Sequence, residues 1–254
     1  MNTIDLNSDM GELPQLLADG TQDKIMAHIS SINISCGAHA GDDATIAATL
    51  AAAKSQSLAV GAHPGYPDRA NFGRTTMPLD NAALSDSIFT QLRHLADLAG
   101  AAGIELTHIK PHGALYHEVS RGHDVADAFF DALSRFSRDL VFVGFAGSAG
   151  LQAAAARGFH TAAEAFIDRA YEPDGTLRAR TLPGALLPTP GLALAQALDI
   201  VQHRHVKTTT GTIIPLSART LCIHSDTPGS AALAASVAAG LRAAGICILP
   251  FGPH

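Results

Sequence analysis

Short runs with the character of β-strands alternate with longer, Ala-rich runs of helical period along almost the whole chain. Strands are predicted at residues 3–7, 31–35, 58–63, 106–110, 140–145, 159–164 and 219–224, with a shorter eighth at 246–249. Helices are predicted near residues 21–29, 43–56, 80–102, 123–138, 148–157, 190–203 and 229–244. Repeated alternation of strand and helix favours a parallel sheet with the helices packed outside it.

Most of the predicted strands end in polar or ionisable residues, which favours a closed barrel. In the first run, Ile4 and Leu6 alternate with Asp5, Asn7 and Asp9, so the polar side chains share one face of the strand. Parallel barrels build a site from the carboxyl ends of many strands, whereas an open doubly wound sheet concentrates it at one switch point. We therefore predict an α/β fold in which seven or eight strands close into a parallel β/α barrel.

The composition excludes several classes of protein. The formal charge of −6 and the absence of a basic run argue against nucleic-acid binding, which needs clustered Lys and Arg. The three cysteines have no close spacing, so neither a disulfide framework nor a zinc knuckle is indicated. The sequence shows no signal peptide at its start and no apolar run of about 18 residues, so we expect a cytoplasmic protein that does not enter a membrane.

The chain is expected to form one barrel domain over residues 1–254, with two interruptions. A Pro- and Gly-rich loop is predicted at about 168–190, and loops of this length in compact domains are usually functional or disordered. A small hairpin is predicted at about 206–217, where β-branched runs flank Gly211. Helix-end signals are Asp42 before one helix, Gly103 after another, and Thr227–Pro228 as cap and first residue of the last.

The first strand carries a candidate site of its own. Asp5, Asn7, Asp9 and Glu12 could bind a divalent cation or act in general acid–base catalysis. Alternatively, Asp9 and Glu12 cap the turn that follows.

Two further segments bring histidines to strand ends. Asn33 is followed by a glycine-bounded turn that holds His39, and His63 ends the next strand before a loop with Arg74. A lone histidine is more often structural, but His39 and His63 together could be metal ligands or general bases. Cys36 is a less favoured nucleophile, because a buried cysteine is commonly inert.

A lysine follows the fourth strand in HIKPHGALYHEV, where Lys110 alternates with His108 and His112. A lysine at the end of a barrel strand suits the binding of an anion or a developing oxyanion. For His108 we favour a hydrogen-bonded residue within the barrel, and for Lys110 and His112 a functional role.

The last two segments place carboxylates beside cationic or basic residues. Glu164 ends a strand and Asp168 and Arg169 follow it, so Arg169 could clamp a carboxylate or phosphate, or brace the loop with Asp168. His224 and Asp226 alternate in CIHSDTPG and could form a pair in which Asp226 orients His224.

Six segments read DLNSDMGE, NISCGAHAGD, GAHPGYPD with NFGR, KPHGALY, EAFIDRAYEPDG and CIHSDTP. Each string is moderately specific, but all six in this order, from Asp5 to Asp226, resemble the LamB/YcsF family. The chain departs from the family pattern at Ser8, where Cys is usual, so an indispensable nucleophile is not expected there. It also has Leu13–Pro14 where Phe–Gly is usual.

The resemblance implies a seven-stranded parallel β/α barrel of distorted TIM type, similar to that of glycoside hydrolase and deacetylase proteins. It also implies a component of 5-oxoprolinase, which opens 5-oxo-L-proline to L-glutamate by ATP hydrolysis together with partner subunits B and C. ATP would be a co-substrate accompanied by Mg²⁺, and the sequence leaves open a bound intrinsic metal and a homo-oligomer. Since no Walker phosphate loop is present, ATP could be handled by, or shared with, a partner.

The motifs and the resemblance together give two sets of candidate residues. The candidate catalytic residues are Asp9, Glu12, His39, His63, Lys110, His112, Glu164, His224 and Asp226. The candidate substrate-binding residues are Asp5, Asn7, Asn33, Arg74, Asp168 and Arg169. Two alternatives to the oxoprolinase role remain: a stand-alone metal-dependent amidohydrolase or deacetylase, and a non-catalytic substrate-binding subunit.

Overall fold

Seven parallel strands close into a barrel in the computed structural model, which describes residues 2–187, 189–227 and 229–251. The last barrel strand, β9 (Thr220–Cys222), pairs with both β6 (Thr161–Phe166) and β1 (Thr3–Met10), and this double pairing closes the sheet. A short strand, β10 (Cys247–Ile248), pairs with the N-terminal end of β1. The predicted seven-stranded α/β barrel is therefore confirmed. The strands are β1 Thr3–Met10, β2 Ser31–Ser35, β3 Ala59–His63, β4 Leu106–Ile109, β5 Val141–Phe145, β6 Thr161–Phe166, β7 His205–Lys207, β8 Ile213–Pro215, β9 Thr220–Cys222 and β10 Cys247–Ile248.

Helices connect the strands and cover the outside of the barrel. They are α1 Pro14–Ala18, α2 Thr21–Met26, α3 Asp43–Ser55, α4 Asn81–Ala101, α5 Gly113–Arg121, α6 Asp124–Phe136, α7 Ala149–Ala156, α8 Pro190–Leu198 and α9 Ser230–Ala243. The sequence did not predict α1 or α5. Among the described residues, the helices lack the combination of length and hydropathy that a bilayer-spanning helix requires.

The helix ends show which local signals were informative. The Asp42 carboxylate accepts a hydrogen bond of 2.8 Å from the backbone N–H three residues later, so it caps α3 as predicted. Gly103 follows α4 with φ of 67°, a left-handed conformation that glycine adopts at no steric cost. The predicted Thr227 cap is wrong, because α9 begins after Gly229, which has φ of 82°. The prediction for Pro228 lies outside the described residues.

The interior of the barrel is lined with polar side chains, whereas branched apolar residues fill most barrels of this kind. Ile34 of β2 lies in the same buried apolar cluster as Ile46 of α3, so this face of the strand packs against the helix layer. The alternate face carries Asn33, whose side-chain amide donates to Asn7 Oδ1 at 2.8 Å and Asp9 Oδ1 at 2.9 Å. The polar face therefore forms a hydrogen-bonded network that leads to the carboxyl end of the barrel.

A loop and a hairpin interrupt the alternation of strand and helix before β9. Strands β7 and β8 pair antiparallel, with Val206 opposite Ile214. The chain after β6 folds back on itself through isolated β-bridges. Tyr171 also forms a β-bridge with Thr208, the residue that follows β7 in the hairpin. The loop is thereby held against the hairpin beside the mouth of the barrel.

Two glycines offer a matched test of packing in this fold. A Cβ on Gly61 of β3 would lie 2.2 Å from the ring of His108 inside the barrel, whereas a Cβ on Gly100 of α4 would meet no atom within 4 Å. We expect Gly61→Ala to lower the free energy of unfolding by about 1–3 kcal/mol. Gly100→Ala should raise it by about 0.5–1 kcal/mol, since alanine suits an exposed helix better. Urea unfolding of both variants checks this, and equal stabilities would contradict the packing described.

Candidate active site at the carboxyl end of the barrel

A cavity of about 470 Å³ opens at the carboxyl ends of the strands. This volume is typical of small-molecule sites, which span about 300–1,000 Å³. The predicted residues that line it are Asp9, Glu12, His63, Arg74, Lys110, His112, Arg169, His224 and Asp226. A larger cavity of about 680 Å³ lies between the long loop and the hairpin, but none of the described residues that line it is a predicted site residue.

Lys110 lies at the centre of the barrel mouth between two carboxylates. Its Nζ is 3.0 Å from Asp9 Oδ1, 2.9 Å from Glu164 Oε1 and 3.2 Å from Cys222 Sγ. Burial alone would lower the pKa of Lys110, but the neighbouring acidic groups raise it well above its ordinary value. Burial would likewise raise the pKa of Asp9, yet His63 and Lys110 hold it well below the usual range. The ammonium group is thus charged and already paired with two anions.

Three histidines surround Glu12, and we call these four residues the histidine cluster. Glu12 Oε1 lies 3.1 Å from His39 Nε2, 3.1 Å from His112 Nδ1 and 3.8 Å from His63 Nε2. The rings of His39 and His112 stack with centroids 3.8 Å apart. Burial lowers the pKa of His39 to about 4, so this ring is neutral. Burial would raise the pKa of Glu12, but its contacts with His112 and His39 hold it below the usual range.

Two glycines let the histidine cluster pack this tightly. A Cβ on Gly65 would lie 2.7 Å from His39 Nδ1, and a Cβ on Gly73 would lie 2.8 Å from the Cβ of His39. Gly73 also has φ of 62°, which a residue with a side chain rarely adopts. The glycines of the predicted loop after β3 are therefore needed for the close approach of backbone to imidazole.

Asp168 orients His224, and Asp226 does not. Both carboxylate oxygens of Asp168 lie 2.9 Å from His224 Nδ1, and one also accepts the His224 backbone N–H at 2.9 Å. His224 stacks on Phe166 with a centroid distance of 5.3 Å. Burial would raise the pKa of Asp168, but the contact with His224 lowers it. A carboxylate on Nδ1 fixes the tautomer that leaves Nε2 as a base facing the cavity.

Asp226 instead pairs with two arginines at the rim of the cavity. Its carboxylate lies 2.5 Å from Arg74 and 3.3 Å from Arg180. Two guanidinium groups share one carboxylate, so the rim keeps an excess positive charge that suits a carboxylate or phosphate of a ligand. The predicted pairing of Asp226 with His224 was wrong because alternation along β9 ends at Cys222, and the chain turns before Asp226.

Arg169 is buried and braces the long loop. Its guanidinium donates to the backbone oxygen of Arg178 at 2.6 Å, while its Nε has no partner among the described residues. Burial lowers the pKa of Arg169. The structure therefore fits the loop-brace alternative for Arg169 but not its predicted pairing with Asp168, which contacts His224 instead.

Several predicted residues lie behind the cavity wall and support it. These are Asp5, Asn7, Asn33, His39, Glu164 and Asp168. Asp5 lies deepest of the β1 polar residues, where it accepts hydrogen bonds from Ser30, Ser31 and Thr220. Burial raises its pKa to about 6. Its predicted role in substrate binding therefore gives way to support of the polar network below the site.

His108 has the structural role that was favoured for it. Its Nε2 lies 2.9 Å from Asn33 Oδ1 inside the barrel, and burial lowers its pKa to about 3. Cys36, the less favoured nucleophile, is buried, and burial raises its pKa to about 12. Ser8, where no indispensable nucleophile was expected, donates to the backbone oxygen of Ile223 at 2.6 Å.

Sequence reasoning missed three ionisable residues of the cavity wall. Tyr116 and His117 lie on α5, a helix that was not predicted, although Tyr116 follows His112 by one helical turn. The hydroxyl of Tyr116 is buried and has no partner among the described residues. Arg180 comes from the long loop, where only its position in an Arg-rich stretch could have drawn attention.

Comparisons with known proteins cover nearly the whole chain. The chain is 45% identical over 248 residues to a protein of Chloroflexus aurantiacus that is named as the A subunit of 5-oxoprolinase, covering 98% of both chains. The crystal structure of a lactam utilization protein from Thermus thermophilus superposes with a TM-score of 0.91 at 35% identity, covering 98% of this chain and 100% of that one.

A more distant likeness concerns the fold alone. A family 4 carbohydrate esterase from Streptomyces lividans, solved with acetate, superposes with a TM-score of 0.54 at 10% identity over 99% of this chain and 94% of that one. The barrel fold is thus shared with this esterase. The LamB/YcsF family model matches residues 4–254. With the family motifs gathered around one cavity, this chain belongs to the LamB/YcsF family.

Proposed function

We propose that this chain is a component of 5-oxoprolinase and takes part in the ATP-dependent opening of 5-oxo-L-proline to L-glutamate with partner subunits B and C. The observation that carries the proposal is the 45% identity, over 98% of both chains, to the Chloroflexus aurantiacus protein named as a 5-oxoprolinase subunit. The name of the Thermus thermophilus structure, a lactam utilization protein, supports the same class of substrate. Since the reaction consumes ATP, we place it in the cytoplasm.

The chemistry of the substrate explains why such a site needs several kinds of group. The five-membered lactam is a poor electrophile, and its opening at neutral pH is unfavourable. Coupling to ATP, by phosphorylation of the amide oxygen, would make the carbonyl carbon open to attack. Such a site needs cations for phosphate or carboxylate, acidic residues for Mg²⁺ and a base for water.

The cavity supplies these groups on different walls. Arg74 and Arg180 would bind the substrate carboxylate or a phosphate at the rim, where they outnumber Asp226. His224, held through Nδ1 by Asp168, would accept a proton from the attacking water through Nε2. Asp9 lines the cavity and is the carboxylate that would hold Mg²⁺ accompanying ATP.

Of the two roles predicted for Lys110, we favour the stabilisation of a developing oxyanion over the binding of an anion. Because it is paired with Asp9 and Glu164, it is not free to neutralise a phosphate. It can instead fix the position of Asp9 and stabilise negative charge that develops on the lactam oxygen nearby.

A second candidate function is a stand-alone metal-dependent hydrolase of amides. The observation that favours it is the close grouping of Glu12, His63 and His112, whose ligand atoms lie within 4.8 Å of one another. Two histidines and a glutamate are the ligands of several catalytic zinc sites.

Simultaneous measurement of glutamate and phosphate separates these two functions. The purified chain is combined with subunits B and C, 5-oxo-L-proline and Mg-ATP. We expect glutamate and phosphate to be released together and in equal amounts, and neither product without ATP. Glutamate release by this chain alone, without ATP, would replace the proposal with the metal-dependent hydrolase.

A further inference from the structure

We propose that Glu12, His63 and His112 form a binding site for a divalent transition-metal ion of the zinc type, open to the cavity at the barrel mouth. The three residues come from the loop after β1, the end of β3 and the loop after β4. All three are buried and all three line the cavity.

The hydrogen bonds on the far side of each ring determine which nitrogen faces the others. His63 Nδ1 lies 2.8 Å from the backbone oxygen of Lys110, and His112 Nε2 lies 2.8 Å from the backbone oxygen of Phe72. A carbonyl oxygen only accepts, so each of these outer nitrogens carries the hydrogen. The inner nitrogens, His63 Nε2 and His112 Nδ1, therefore both present lone pairs in the neutral rings.

These two lone pairs converge with a carboxylate. His63 Nε2 and His112 Nδ1 are 3.0 Å apart, and Glu12 Oε1 lies 3.1 Å from the latter and 3.8 Å from the former. Three acceptors at these distances repel one another unless a cation or a proton lies among them. The arrangement is what a metal ion requires of its ligands.

The size of the triangle fits such an ion. Two ligands that each lie about 2.05 Å from a tetrahedral zinc ion are separated by about 3.3 Å. The three observed separations of 3.0, 3.1 and 3.8 Å lie on either side of this value. The mixture of two imidazoles and one carboxylate suits zinc and its first-row neighbours better than Mg²⁺ or Ca²⁺, which prefer oxygen.

The surroundings have the features of a metal site with an open position. His63 and His112 are each oriented by a backbone carbonyl on the far nitrogen, and His39 Nε2 lies 3.1 Å from Glu12 Oε1, where it can hold this oxygen in place by donating a hydrogen bond. Asp9 Oδ2 lies 3.4 Å from His63 Nε2 on the cavity side, where it can hold a water molecule or the ion itself. The inference rests on these contacts and stands whether or not the proposed lactam reaction is correct.

Metal binding by the whole chain tests this inference directly. The protein, free of any affinity tag, is first dialysed against a chelator. Zn²⁺ alone is then titrated by calorimetry, and Co²⁺ is titrated in parallel for its visible absorption. The variants are Glu12→Gln and His112→Ala. The control is His160→Gln, which removes an exposed histidine outside the cluster. Circular dichroism verifies that each variant is folded.

We expect one Zn²⁺ per chain in the wild type and in the control, with the intense visible bands of low-coordinate Co²⁺. Loss of a residue that only hydrogen-bonds to a metal ligand weakens metal binding about 10–100-fold, so loss of a ligand itself should weaken it at least as much. Absence of stoichiometric Zn²⁺ binding by the folded wild type would overturn the inference and leave a shared proton in the cluster. Unchanged affinity in folded Glu12→Gln would do the same. Because the readout is binding, failure here leaves the oxoprolinase proposal intact, and failure of turnover leaves this inference intact.

Discussion

Replacing Lys110 by Met is expected to lower turnover by at least about 10²–10³-fold, the usual loss when a donor to developing negative charge is removed. The same change leaves Asp9 and Glu164 buried without their shared cation. Breaking a buried ion pair from one side costs about 3–5 kcal/mol, so the free energy of unfolding should fall by a similar amount. Both quantities are measurable, by glutamate release and by urea unfolding.

A double variant separates the two effects of losing Lys110. Adding Glu164→Gln to Lys110→Met removes one of the stranded charges, so we expect much of the stability to return while turnover stays low. The matched control is Lys54→Met, since Lys54 is exposed and its Nζ donates a hydrogen bond to the backbone oxygen of Ala102 at 2.6 Å. A folded Lys110→Met variant with near-normal turnover would remove Lys110 from the mechanism.

His224→Gln should lower kcat by about 10²–10⁴-fold, the range typical of a lost general acid–base group. Asp168→Asn should also lower kcat strongly, because an amide at this position no longer favours the tautomer with its hydrogen on Nδ1. Steady-state kinetics with 5-oxo-L-proline in the complete mixture measures both effects.

The matched comparison for this prediction is Asp226→Asn. Asp226 pairs with Arg74 and Arg180 rather than with His224, so its loss should alter KM and leave kcat within a few-fold of the wild type. A strong fall of kcat in Asp226→Asn, with little change in Asp168→Asn, would show that the sequence-based pairing of Asp226 with His224 was correct after all.

The fold could be predicted because its determinants are local. Alternating apolar and polar residues in β1 and β2, and the Ala-rich runs between strands, indicated each barrel strand to within a few residues. The first strand ends at Met10 rather than at residue 7, because Ser8 to Met10 continue to pair with β2. Helix α5 was missed because Pro111 and Gly113 indicate a turn, yet Gly113 starts the helix with φ of 53°.

The candidate site could be predicted only in outline. Strand ends of a closed barrel must meet, so the gathering of Asp9, Lys110 and His224 followed from the architecture. The partners of each residue did not follow, because they depend on how loops fold over the barrel mouth. Asp168 reaches His224 across 56 positions of sequence, a pairing that no local pattern contains.

The polar interior of the barrel also explains why some residues predicted to bind substrate instead support the site from below. Asp5, Asn7 and Asn33 share strand faces with the cavity residues, so alternation alone could not separate supporting residues from lining ones. Their depth along the barrel axis decides this, and depth depends on the stagger of the strands. The structural role of His108 could be predicted because a polar ring inside a closed barrel needs a hydrogen-bond partner. Asn33 provides that partner.

The most direct test of the account is the dependence of glutamate release on this chain. Subunits B and C that are active with the related Chloroflexus aurantiacus protein are supplied with 5-oxo-L-proline and Mg-ATP, and glutamate is measured with and without the purified chain. The account predicts release only when the chain is present, and loss of that release with His224→Gln. No release upon addition of the folded wild-type chain, in a mixture where the related protein restores it, would contradict the proposed function.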